Sequence, residues 1–217
     1  AAGGGEMRIL KTFVFGILAG ISIALGGTVL LSIENKVLGA LFFTVGLFVI
    51  CTFGFNLFTG RVCYVFERDK RYALDLPIMW LGNLAGAWLA AQAVRLTRIA
   101  TIAERAAAIC EVKLNDNLLS IFLLSVLCNI LIFIAVDGFG KNPHELGKYL
   151  SLFFGVSVFI ICGFEHCVAN MYYFSVAGMW SWKTLLYILV MTLGNACGGV
   201  LIPLLRMWLQ KEKKALS

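Results

Sequence analysis

An all-α transmembrane fold is what this 217-residue chain predicts. Three observations carry the prediction: a mean hydropathy of +0.90, six long apolar runs, and the return of two of those runs about 111 residues later in the chain. With 60% hydrophobic and 14% charged residues, one soluble core cannot hide the apolar surface, so lipid must cover most of it.

The apolar runs are 12–31, 37–50, 76–93, 118–136, 150–162 and 185–208, and each approaches the roughly 20 residues that a helix needs to cross hydrocarbon. Backbone polar groups in lipid must be paired within their own segment, and a barrel would show short alternating strands instead. All six runs are therefore expected to be helices. Residues 1–6 read as a trimmed end, and the first run is long enough to span, so no cleavable signal is expected.

The net charge of +6 reports topology, not nucleic acid. With the N-terminus inside, twelve basic residues fall in cytoplasmic pieces: Arg8, Lys11, Arg61, Arg68, Lys70, Arg71, Lys141, Lys148, Arg206, Lys211, Lys213 and Lys214. Six fall outside: Lys36, Arg95, Arg98, Arg105, Lys113 and Lys183. That bias puts both termini in the cytoplasm. Seven cysteines show no metal-ligand spacing, and those in membrane segments (Cys51, Cys128, Cys162, Cys167 and Cys197) are expected to be reduced packing thiols. No metal or cofactor is expected.

Repetition is the most informative feature. Leu41, Phe42, Phe43, Val45, Phe48, Ile50, Cys51 and Phe53 recur as Leu152, Phe153, Phe154, Val156, Phe159, Ile161, Cys162 and Phe164, eight identities in thirteen positions at an offset of 111. Leu81, Gly82, Asn83 and Gly86 return as Leu193, Gly194, Asn195 and Gly198 at an offset of 112. The two blocks argue for a single transmembrane domain over 1–217, made of halves 1–110 and 111–217 with three spans each. An odd number of spans makes the second half enter the membrane from the opposite side, giving an inverted repeat around a central pathway.

The second and fifth runs lose their apolar character early, at residues 52–61 and 163–170, and each reads as a broken helix. Gly54, Gly60 and Gly163 loosen the helix there, and Asn56, Thr59 and Asn170 are expected to hold the freed backbone groups. Such backbone survives at membrane depth only when it is buried in protein or lines a wet cavity; the alternative is two ordinary helix ends. Glu165 and His166 sit in the second break, where ionisable groups are costly. Glu165 reads as a cap for loop amides or as a pore residue. His166 is either a satisfied interior histidine or a donor of a hydrogen bond or proton to an anion in a dry constriction.

The strings Asn56-Leu-Phe-Thr-Gly60 and Gly163-Phe-Glu-His-Cys-Val-Ala-Asn-Met171, with the paired Gly-Asn motifs, resemble the formate/nitrite transporter family over nearly the whole chain. The resemblance implies a six-helix aquaporin-like fold, a homopentamer in a lipid bilayer with one pore per protomer, and small anions as substrates. It implies a cytoplasmic constriction of Leu47, Leu57 and Phe58, an outer one of Phe43 and Phe159, and a polar pair, Thr59 and His166, between them. It also implies that Asn129 and Asn195 tether the broken helices, and that Lys11 and Lys113 sit near the two vestibules. Asp137 stands where the family more usually has tryptophan, and Arg61 follows Gly60. The Gly60-Arg61 pair is most similar to the hydrosulfide channel branch, so hydrosulfide comes first, with formate and nitrite beside it, in a bacterial cytoplasmic membrane. Passive and proton-coupled transport both stay open. An aquaporin-type neutral pore should carry paired Asn-Pro-Ala motifs, and the only prolines are Pro77, Pro143 and Pro203. A membrane enzyme would need a nucleophile with a base or a metal set, which two distant histidines do not supply.

Overall fold

A computed structural model describes residues 2–216; the side chains of Lys213 and Lys214 lie outside what it describes. The described residues form ten α-helices and no strand. They are α1 (Ala2–Ser32), α2 (Lys36–Phe43), α3 (Val45–Phe53), α4 (Phe58–Arg61), α5 (Lys70–Arg95), α6 (Ile102–Leu114), α7 (Leu118–Lys141), α8 (Glu145–Cys162), α9 (Cys167–Ala177) and α10 (Trp182–Leu216), with a 3-10 turn at Val62–Tyr64.

Local sequence explains where three of these helices begin. Asn35 accepts from the Val37 and Leu38 amides, Asp69 from the Tyr72 amide and Asn117 from the Ser120 amide, each satisfying donors that a first turn leaves free. α2 and α3 join across Thr44, whose carbonyl still accepts from the Phe48 amide. Large apolar side chains such as Phe42, Phe53, Phe154 and Leu193 stay exposed along these helices. An apolar surface of that extent belongs in lipid or against another chain.

Five stretches among the described residues are long and apolar enough to cross a membrane: Gly4–Ser32, Lys36–Phe53, Leu118–Lys141, Glu145–Cys162 and Trp182–Lys211. The sixth predicted run lies in α5, which has the length but not the apolarity, because Asn83 and Gln92 interrupt it. Between the third and fourth predicted runs, where no helix was expected, the chain forms α6. That helix buries Ile102, Ala106 and Cys110 and packs on α9. All seven cysteines are free. Burial pushes the Cys110 thiol up to about 12, which suits a packing role, whereas Cys162 and Cys197 are exposed on the helix surface.

α1 packs along α5, and α7 along α10. Both contacts depend on glycine: a Cβ at Gly86 would run into the Ile17 carbonyl, and one at Gly198 into the Val126 carbonyl. α8 packs on α7, and α9 on α5 and α6, so the two broken segments meet in the middle of the bundle.

Candidate functional site: two broken helices meeting at Thr59 and His166

α3 and α8 both end on a glycine in the left-handed region, Gly54 and Gly163, each with φ 71°, where a side chain would be strained. Three non-helical residues follow before α4 and α9 begin. The same bonds then occur twice, 109 residues apart. The Phe55 amide donates to the Ile50 carbonyl and the Phe164 amide to the Phe159 carbonyl; the Asn56 amide donates to the Phe15 carbonyl and the Glu165 amide to the Leu124 carbonyl.

Two asparagines hold what remains. Asn83 Oδ1 accepts from the Phe58 amide at 2.8 Å, and its Nδ2 donates to the Gly16 and Asn56 carbonyls. Asn195 Oδ1 accepts from the Cys167 amide at 2.8 Å, and its Nδ2 donates to the Ser125 and Glu165 carbonyls. Both side chains are fully buried, so their polar atoms find partners in the backbone rather than in water.

These bonds correct several expectations. The offset of 111 pairs Phe53 with Phe164, whereas the structure pairs Phe55 with Phe164, because Gly54 and Gly163 set the register and similar apolar runs match in more than one frame. The repeat's pairing of Asn83 with Asn195 recurs in these bonds, but Asn83 was not among the residues expected to tether the breaks. Asn129 donates to the Thr59 carbonyl at 3.0 Å and stands 109 residues after Gly20, which has no side chain to do the same. Gly60 is helical, within α4. Asn56 and Thr59 do not satisfy the broken backbone in the way expected, whereas Asn170 does hold a carbonyl of the second break. Asn56 Nδ2 reaches the Thr12 carbonyl only at 3.4 Å, Thr59 points its hydroxyl at His166, and Asn170 donates to the carbonyl of His166, the last non-helical residue before α9.

Thr59 Oγ1 and His166 Nε2 lie 2.9 Å apart, both buried. His166 also caps α9: Nδ1 accepts from the Ala169 amide at 3.2 Å. A neutral imidazole has one N–H. With Nδ1 accepting, that proton is on Nε2 and is donated to Thr59 Oγ1. The Thr59 hydroxyl hydrogen is then left to donate elsewhere. Phe159 stacks on the imidazole, with centroids 5.7 Å apart and planes 16° from parallel, and Phe43 meets Phe159 edge to face at 6.0 Å.

Two cavities flank this layer. The first, of about 420 Å³, is lined by Phe159, His166, Glu165, Lys113, Arg105 and Asn170 among others. Lys113 Nζ meets Glu165 Oε2 at 2.5 Å, and Asn170 Nδ2 donates to the same oxygen at 2.8 Å. Glu165 is thus an ion-pair partner rather than a cap. The second cavity, of about 320 Å³, is lined by Leu47, Leu57, Gly54, Cys51, Tyr64 and Arg61 among others. Phe43, Phe58 and Thr59 are buried and line neither cavity. Lys11 is exposed and lines neither; it borders a separate hollow with Met7, Arg8, Thr12, Phe15 and Asn56.

Comparison with known proteins bears on the family and the fold. The model of the formate/nitrite transporter family matches residues 3–209. A transporter of Bacillus subtilis, YrhG, is 30% identical over 240 aligned residues, covering 98% of this chain and 89% of that protein. The formate channel FocA of Haemophilus influenzae is 25% identical, covering 76% of this chain and 66% of its own length. Among solved structures, a pentameric formate channel with formate bound superposes with a TM-score of 0.78 at 24% identity, covering 95% of this chain and 98% of that one. An FNT family ion channel gives 0.82 at 23% identity, with coverages of 95% and 92%. The proteins it resembles are transporters and channels, not enzymes, and this chain belongs to the formate/nitrite transporter family.

Proposed function

We propose that the chain is a homopentameric membrane channel, with one pore per protomer, for small monovalent anions of weak acids. The observation that carries this reading is the buried Thr59–His166 contact at 2.9 Å, framed by apolar side chains and with a cavity at either end. The two sets of matching bonds around Gly54 and Gly163 support an inverted repeat of residues 1–110 and 111–217 in one domain. α5 is the sixth span on this reading.

An anion in the first vestibule loses water at Phe43 and Phe159, and the Thr59 hydroxyl, freed by the bond it accepts from Nε2–H, donates to it. An unpaired anion at such a place faces a penalty of several kcal/mol, and an oriented donor offsets part of it. Leu47, Leu57 and Phe58 then form the second dry step. Lys113 acts at the first vestibule as one half of an ion pair, not as a free charge. Charging the ring would put an N–H at Nδ1 against the Ala169 N–H, so the neutral ring, relaying through Thr59, fits this geometry better than direct protonation of the anion by His166.

Relatives named as formate channels and as a nitrite transporter support the substrate class; the Gly60-Arg61 resemblance favours hydrosulfide within it. Placement in a bacterial cytoplasmic membrane is supported by the long apolar helices and a bacterial relative, and both termini inside by the basic-residue bias. Uptake of hydrosulfide, formate, nitrite and chloride into proteoliposomes tests the class. Weak-acid anions above the empty-vesicle leak and above chloride are expected, and their ranking names the substrate. Uptake no faster than leak for every anion would end this reading.

A further inference from the structure

The second cavity has a feature the Thr59–His166 reading does not use. Among its described lining residues, Arg61 is the one that carries a charge. Arg61 ends α4, and the Tyr72 hydroxyl donates to its carbonyl at 2.8 Å, which fixes the backbone. Its Nη2 donates to the Gly54 carbonyl at 3.3 Å, the carbonyl at the broken end of α3. A guanidinium has five N–H donors in a planar fork, so this single bond holds the group at the cavity wall while most of its donors stay uncommitted.

No carboxylate among the described residues lines this cavity. The acid behind its wall is Asp137, which accepts from the Tyr64 hydroxyl at 3.2 Å. It is paired with Lys141 at 2.6 Å and Arg206 at 2.7 Å, two cations to one anion, so it does not offset Arg61. The first cavity differs: Glu34 and Glu165 stand there among Lys36, Arg105 and Lys113, and one acid is bonded directly to one base. A low-dielectric wall with one sign of fixed charge focuses its field on the enclosed space.

We propose that Arg61 is the fixed positive charge that admits anions and turns away cations at the second vestibule, the role that Lys11, outside the cavity, does not fill. This deepens the channel reading and rests on it. Leu47 and Leu57 supply a dry barrier without preference for sign, and Arg61 supplies the preference.

Cys51 lines the same cavity and reports its potential without any transport. In a background with the exposed Cys162 and Cys197 replaced by serine, Cys51 is reacted with an anionic and a cationic methanethiosulfonate reagent of equal size, and the ratio of the two rates is compared. The ratio cancels effects on the thiol itself. Arg61→Gln is expected to lower the anionic-to-cationic ratio by roughly tenfold, since one nearby unit charge acts on both reagents in opposite directions, and Arg61→Lys is expected to keep the parent ratio. An unchanged ratio in Arg61→Gln overturns the proposal.

Formate and hydrosulfide uptake gives the functional readout. Arg61→Gln should slow it several-fold at roughly 0.01 M salt and much less at roughly 1 M, where screening is nearly complete. A loss that is equal at both salt concentrations and shared by Arg61→Lys would mean a structural role and contradict the assignment. A shifted thiol ratio in a parent protein that passes no anion would sink the channel reading while leaving the fixed charge in place.

Discussion

Thr59 and His166, 107 residues apart in sequence, share a buried hydrogen bond of 2.9 Å, and the same histidine caps α9 through its other nitrogen. One side chain therefore carries both the polar step of the proposed pathway and the start of a half-helix. The two roles separate by substitution. His166→Asn keeps a good capping residue and loses the reach to Thr59, whereas His166→Ala loses both. Thermal unfolding in detergent should place His166→Ala about 1 kcal/mol below His166→Asn. Equal stabilities would mean that the cap contributes nothing.

The tautomer is a second outcome. The chain has two histidines, His144 and His166, so nitrogen-15 spectra of labelled protein are assigned with a His144→Gln variant. The remaining signal is expected to show one protonated nitrogen, Nε2. A proton on Nδ1 would contradict the cap bond from Ala169.

Asn83 and Asn195 each make three bonds to backbone, two of them to groups of the broken segments that no helix satisfies. Replacing either by alanine strands two such groups, an amide and a carbonyl, at about 1–3 kcal/mol for each one left unpaired. Asn83→Ala and Asn195→Ala should therefore destabilise by similar, large amounts. Asn56→Ala should cost much less, since its side chain makes one long contact of 3.4 Å. Melting curves for the three variants decide it, and a tolerated Asn83→Ala would remove Asn83 from the site.

Lys113 and Glu165 are both largely buried. Lys113→Met alone leaves a carboxylate with only Asn170 beside it, a loss of about 3 kcal/mol or more. The double variant Lys113→Met, Glu165→Gln should recover much of that loss. A double-mutant cycle on stability checks the pairing, and additive losses would show that the two groups do not interact.

Much of this was legible in the sequence. The apolar runs dictate helices because lipid offers no partner for a free amide, and Gly54 and Gly163 mark the breaks because each takes a conformation that other residues adopt only under strain. The register of the repeat was not legible: runs of Leu, Phe and Val match one another in several frames, and only the bonds around the two glycines choose among them. Asn83 sat in the repeated block, but its bonds run to Gly16 and Asn56, which no local pattern connects. α6 was missed because its charged face and short length resemble a loop between spans. Lys11 was misplaced because a position along the chain does not say which hollow a side chain borders.

The most direct test of the central claim is uptake of formate and hydrosulfide by vesicles holding the parent chain, Thr59→Val or His166→Asn, each checked for folding. The parent is expected to exceed empty vesicles, and both variants to lose more than about tenfold, the worth of one oriented donor at a dry site. Folded variants that pass these anions as fast as the parent would contradict it.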